Sequence, residues 1–364
     1  MTIHLVYPVD FSKISAPWTL GNNLYKYFIS KNLKVKVYQW TSFEKIYPKE
    51  NDILIGHAHP NPLTCFRRSM KSKKWKSINL LQPYNEDPYQ MSYINNFVKD
   101  CDNFFSITGD YWFDRINQSI FKSWKNKMIQ VNMGLERNHY PKLKYKFNKI
   151  KNRKFLYIGN DYEFNNFAKN LNYLDEIINS YNHNFFGIVG NKKINKSKFY
   201  GWLDFKDKKS LKIVKNYDFY LIVSKNDANP TTILEVMSWG LIPVSTKECG
   251  YYKSKGIINL PLNNVKKSIN ILKNLQIKSE KYLINSQRIN YKKLKEDHDW
   301  NKICKKIYTR MMKTKINLKF NQTKKEKLIL KKFEINSNTN YKNIKNIVKF
   351  FLSSTKFLLR SFFN

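Results

Sequence analysis

Acidic side chains are scarce in this chain. Its 364 residues hold 27 Asp and Glu against 66 Lys and Arg, a formal net charge of +39. Such a balance favours contact with polyanions, either nucleic acid or an anionic membrane surface. The lysines, however, are spread over most segments, with no zinc-finger spacing, no aromatic-plus-basic RNA-binding signature and no helix-turn-helix. Charge alone therefore does not assign nucleic-acid binding, and no nucleic-acid partner is expected. Cysteine is also sparse: Cys65, Cys101, Cys249 and Cys304 lie far apart and form no CxxC pair. That argues against a disulfide framework and a zinc site, and fits a reducing compartment. Long apolar runs are missing too, since no stretch of about 18 uncharged apolar residues occurs. The opening Thr2–Pro8 has neither a basic n-region nor a cleavage-site pattern and reads as a first strand, so the expected location is cytoplasmic.

What is present is ample core material, 42% apolar residues with 16% aromatic, enough for two ordinary domains. The first 145 residues alternate short apolar runs with helical patterns. Strands are expected at Ile3–Tyr7, Lys34–Tyr38, Asp52–Gly56, Ile78–Leu81, Asn103–Ile107 and Met128–Val131. A basic connection follows, Lys142–Arg153, with six Lys or Arg residues, and reads as an interdomain linker. The alternation then restarts with Lys154–Ile158, Asn184–Val189, Phe219–Val223, Leu241–Ser245 and Gly256–Leu260. Helical patterns over Lys266–Leu275 and Ser286–Met312 close the ordered part. This order predicts an α/β protein of two doubly wound, Rossmann-like parallel sheets facing a cleft, residues 1–145 and 154–290. In such sheets ligands sit beyond the carboxyl ends of the strands.

The most informative stretch is Phe219–Cys249, FYLIVSKNDANPTTILEVMSWGLIPVSTKEC. An apolar strand enters a polar loop, Asn229 is placed to cap a helix, and Pro230 fits its first position. Gly240 fits a left-handed stop before the next strand. The amides near Thr231 and Thr232 would then lie at a helix N-terminus, where a diphosphate is favoured. Asp227 and Glu235 supply carboxylates for sugar hydroxyls. On pattern alone a structural strand-to-helix turn with surface carboxylates fits nearly as well.

This segment resembles the donor-site signature of retaining GT-B glycosyltransferases, the large family-4 group (glycosyl transferases group 1). There, two acidic residues separated by seven others lead into a small-residue helix, a Gly and a Pro-containing strand. Asp227 and Glu235 have that spacing, and Glu235–Val244 follows the continuation. Phe155–Gly159 resembles the strand and Gly that open the family's second domain. Phe186–Gly190 and Phe199–Leu203, with Trp202, resemble the segments that hold the nucleobase. Val131–Leu135 resembles the end of the first domain, and Asp52–His59 a first-domain strand ending in His. Asp299-Trp300 resembles the start of helices that cross back to the first domain, here residues 291–312. The resemblance implies that Glu235 binds the nucleotide ribose, Asp227 faces the donor sugar and the backbone around Thr231 holds phosphate. It implies a metal-independent, cofactor-free hexosyl transfer from a nucleoside-diphosphate sugar to a saccharide or lipid-linked glycan, in cell-surface polysaccharide synthesis. His57 or His59 would orient an acceptor hydroxyl, with His59 the first choice as a catalytic residue.

The pattern departs from the family at Asn160 and Asn165, where an Arg and a Lys are usual. Those cations neutralise the diphosphate leaving group. Lys169, one helical turn beyond Asn165, and Lys225 are the substitutes in reach, and the alternative is a nucleotide-sugar-binding protein of the same fold without turnover. Residues 313–364 form a basic tail. Within it 344–363 sets Ile, Val, Phe and Leu on one helical face and Lys and Arg opposite, the pattern of a helix lying on a membrane surface.

Overall fold

The computed structural model describes residues 1–13, 15–160, 166–313, 322–324 and 326–329. The amphipathic stretch 344–363 and Asn165 lie outside the described residues.

The N-terminal half runs β1 (Thr2–Val6), α1 (Ala16–Ser30), β2 (Lys34–Tyr38), β3 (Asp52–Gly56), α2 (Cys65–Ser69), β4 (Trp75–Pro83), α3 (Pro88–Val98), β5 (Asn103–Ile107), α4 (Asp110–Arg115) and β6 (Met128–Val131). The C-terminal half runs β7 (Phe155–Ile158), α5 (Asn166–Lys169), α6 (Leu171–Ser180), β8 (Phe186–Val189), β9 (Lys198–Phe199), α7 (Lys208–Lys215), β10 (Phe219–Ile222), α8 (Thr231–Trp239), β11 (Ile242–Thr246), β12 (Ile258–Leu260) and α9 (Val265–Ile277). Two last helices follow, α10 (Glu280–Asp297) and α11 (Trp300–Met312).

Each half builds one six-stranded parallel sheet, in the orders β2-β1-β3-β4-β5-β6 and β12-β11-β10-β7-β8-β9. Parallel sheets covered on both faces need strands that are apolar throughout. β10 meets this, and β3 and β5 are also buried at every residue although they carry Asp52, Asn103 and Ser106. The connectivity reverses direction between β1 and β3 in the first sheet and between β7 and β10 in the second. A crevice opens beyond the strand ends at each such point.

The basic connection is not a free linker. Leu143 and Lys144 donate their amides to Trp239, and the Lys144 ammonium pairs with Asp218 at 2.8 Å, both side chains buried. Arg153 is buried as well and donates to the carbonyls of Leu275 and Lys278. Charge that sequence pattern assigns to solvent is spent here on fastening the connection to the second half.

The helical pattern over Ser286–Met312 is two helices, not one. His298 closes α10 and the Asp299 carboxylate caps α11 by accepting from the Lys302 amide. The break turns the chain back to the first half. There Leu135 donates to His298, Ser77 donates to Met311, and Arg310 reaches Asn103.

Candidate active site

The second sheet's crevice is built by the loops after β7 and β10. Gly159 and Asn160 follow β7; Ser224–Asn229 follow β10. The Gly159 amide donates to Val189, and Lys225 donates its amide to Ala168, which ties α5 to the loop after β10. This brings Lys169 against Asp227 across 58 residues of sequence, Nζ to Oδ2 at 2.7 Å. Burial pushes the Lys169 ammonium down, but the attraction and hydrogen bond of Asp227 outweigh it, so the net shift is upward. Lys169 is therefore charged in this cleft.

α8 begins one residue later than the sequence indicates. Pro230 is its flanking N-terminal residue, and no side chain caps the helix. Asn229 does not cap it because its carboxamide oxygen accepts from the Tyr251 hydroxyl instead. The amides of Thr231 and Thr232 thus face the cleft without a side-chain acceptor. At the other end Gly240 adopts φ +92° and stops the helix, as its position predicts. Glu235 lies one turn in from Thr231. Burial raises its carboxyl to about 7, opposed by a hydrogen bond donated by Tyr140 at 3.3 Å.

The first sheet supplies the opposite wall. Tyr7 follows β1 and His57 follows β3, the two strands flanking its reversal point. A cavity of about 410 Å³ lies between the halves, lined by Tyr7, Trp40 and His57 on one side and by Lys169, Asp227, Thr231 and Thr232 on the other. A narrow side cavity shares Thr231 and reaches Glu235 and Tyr140. His57, not His59, lines the main cavity; His59 accepts from the Asn61 amide within its own loop. The His57 Nδ1 donates to the Ala58 carbonyl at 2.5 Å, which leaves Nε2 as an acceptor. Burial pushes the His57 imidazole down to about 3, so it is neutral at neutral pH. Trp202 stands apart, 70% exposed, on the loop whose Gly201 carbonyl accepts from Gly190 beside Gly159.

The halves touch closely here. Gly109 donates its amide to Ala228 at 2.8 Å, and Tyr111 donates to Gly250 at 3.2 Å. A Cβ on Gly109 would lie 2.5 Å from the Gly250 backbone, so this approach requires glycine. The Trp112 indole N–H donates to both Asp227 and Glu248 carbonyls at 3.0 Å. Trp112 thereby fixes the backbone of the loop that carries Asp227. No sequence signal marked Trp112, Tyr140 or Trp40, because their parts in the site arise from contacts across the cleft.

No protein-family profile and no curated protein sequence matches this chain. Solved structures do. A glycosyltransferase from Rickettsia africae ESF-5 superposes with a TM-score of 0.60 at 12% identity, over 86% of this chain and 98% of that one. An α-glucosyltransferase in complex with UDP and a 13-mer DNA containing an HMU base matches with a TM-score of 0.56 at 13% identity, over 86% and 100%. WaaG, a glycosyltransferase involved in lipopolysaccharide biosynthesis, matches with a TM-score of 0.54 at 11% identity, over 86% and 100%. At such identities the likeness is one of architecture: two parallel α/β sheets across a cleft, the GT-B fold.

Proposed function

We propose that this chain is a glycosyltransferase. It moves a hexosyl group from a nucleoside-diphosphate sugar to a saccharide or lipid-linked glycan, with retention of configuration and without a bound metal, in cell-surface polysaccharide assembly. The observation that carries this reading is the convergence on one cleft of the open α8 N-terminus, the Lys169–Asp227 pair and Glu235. A diphosphate fits the uncapped amides at Thr231 and Thr232 and competes with Asp227 for Lys169. Lys169 then offsets leaving-group charge, as the cations missing at Asn160 and Asn165 would have done. Asp227, released, accepts hydroxyls of the donor sugar. Glu235 takes the ribose; Gly159 lets the nucleotide approach the β7 loop beside Asn160; Lys225 and Trp202 complete the donor side. His57, which lines the cavity, orients the acceptor hydroxyl in place of His59. The UDP in the similar α-glucosyltransferase supports the donor class, and the role of WaaG supports a cell-surface product. The basic amphipathic stretch 344–363 adds attachment to the cytoplasmic face of a membrane.

Thermal unfolding with UDP-, GDP- and ADP-sugars tests the donor site. A ligand at about 100 times its Kd should add about 2.7 kcal/mol. One nucleotide class should raise the midpoint of the wild-type chain, and Glu235→Ala should abolish that rise. No shift with any nucleotide sugar would sink the reading. A second reading, nucleotide-sugar binding without turnover, draws on Asn160 standing where the resemblance expects a cation. Nucleoside diphosphate released in the presence of any glycan acceptor would dismiss it.

A further inference from the structure

The wall that the N-terminal half presents to the cleft lacks what the rest of the chain has in excess. Among the described residues, its contribution to the 410 Å³ cavity includes no Lys, Arg, Asp or Glu, in a chain whose formal net charge is +39. What it offers instead is aromatic and neutral polar: Tyr7, Trp40, His57, Gln90 and Tyr93, beside Pro17. His57 is packed edge-on against Trp40 at 4.6 Å and against Tyr7 at 5.6 Å between ring centroids.

We infer that this wall is a subsite for an uncharged sugar residue, packed on Trp40 and hydrogen-bonded through His57 Nε2 and the Gln90 carboxamide. The inference rests on the proposed glycosyl transfer and specifies the acceptor's chemistry. A pyranose presents an apolar C–H face to an aromatic ring and hydroxyls around its rim, and an indole offers both a flat apolar surface and one N–H donor. Among the described residues, the Trp40 indole N–H and the Gln90 carboxamide make no hydrogen bond to protein. His57 Nε2 is an acceptor by the tautomer that Ala58 imposes. Three neutral groups with open valences in one pocket match hydroxyls, which donate and accept. A purely apolar occupant would leave all three unpaired.

An acidic or phosphorylated sugar is disfavoured for two reasons. Its charge would enter a cavity whose one cation among the described residues is Lys169, and Asp227 already holds that group at 2.7 Å. A bound donor diphosphate would also repel it across the same cleft. The subsite is thus selective by withholding countercharge, which a chain this rich in lysine has had to exclude from one surface.

Saturation-transfer NMR on the full chain tests the inference. The probes are methyl glycosides of glucose, galactose, mannose and N-acetylglucosamine, set against glucuronic acid and glucose 6-phosphate. At least one neutral glycoside should receive saturation, and the two anionic sugars should not. Trp40→Ala and, independently, Gln90→Ala should weaken the neutral ligand by about fivefold. Gln90 makes no side-chain bond among the described residues, so its variant stays informative if loss of Trp40 disturbs the loop. Anionic sugars binding as well as neutral ones, no neutral glycoside binding, or both variants matching wild type would each overturn the subsite. Nucleotide-induced thermal shifts on the same samples separate the two levels. A shift that persists while the glycosides fail refutes the subsite alone; no shift in the wild type refutes the glycosyltransferase reading beneath it.

Discussion

Glu235 sits one helical turn inside α8, with burial holding its carboxyl near neutrality and, among the described residues, only Tyr140 donating to it. An ionised carboxylate accepts from two ribose hydroxyls, whereas the protonated acid carries one O–H that must itself donate. Nucleotide binding should therefore weaken as pH falls through about 7. For a single controlling group the loss between pH 8 and pH 6 is up to about tenfold. Calorimetric titration of nucleotide at the two pH values, on wild type and Glu235→Gln, checks this. Equal affinities at both in the wild type would remove Glu235 from the ribose site. Lys169 and Asp227 show the same principle in another form: neither residue type is unusual, and their pairing at 2.7 Å is what defines them.

Among elements, the decisive packing is α4 against the loop that carries Asp227. α4 spans only Asp110–Arg115, too short to be stable without its neighbours. Its buried Trp112 reaches across the cleft to two carbonyls of the other half. Trp112→Phe should keep most of the packing but leave the Asp227 carbonyl without its donor, while the Glu248 carbonyl keeps the Asp227 amide, at about 1–3 kcal/mol of stability. Nucleotide affinity should fall with it, since the Asp227 loop loses its support. Urea unfolding and nucleotide titration of the variant give the answer, and a variant as stable as wild type would show that the loop holds itself. The break at His298–Asp299 matters in the same way, because it lets α11 return to the first sheet instead of extending into solvent.

At the scale of the whole molecule the buried titratable groups set an acid limit on stability. Burial lowers His57 to about 3 and His298 to about 4, both below the ordinary histidine value. A depressed histidine contributes stability that is complete above about pH 6.5 and is lost as pH falls toward the folded value. Glu235 runs the other way: raised to about 7, it contributes stability below the ordinary glutamate value that is lost as pH rises through 7. Two groups losing and one gaining leave a net loss of about 1–3 kcal/mol between pH 6.5 and pH 4.5. Denaturant unfolding across that range should show this decline, and Glu235→Gln should make it steeper. A flat profile would mean that these histidines are protonated with little cost.

Eleven of the twelve strands, the two parallel sheets and the left-handed stop at Gly240 are legible from residue order, because short apolar runs and glycine positions act locally. β4 proves longer than its apolar run and β9 was not marked as a strand, since a two-residue exposed edge has no periodicity. The same local signals marked Asp227, Thr231 and Glu235 as one segment. Sequence order put His59 ahead of His57, two residues away; the direction the chain takes after β3 turns His57 to the cleft instead. Nor could it show that Asn229 bonds Tyr251 instead of capping α8, that Lys144 and Arg153 are buried, or that Trp40 walls the cavity. Those depend on partners tens to hundreds of residues away, and only closing the two sheets on each other decides which side chains meet.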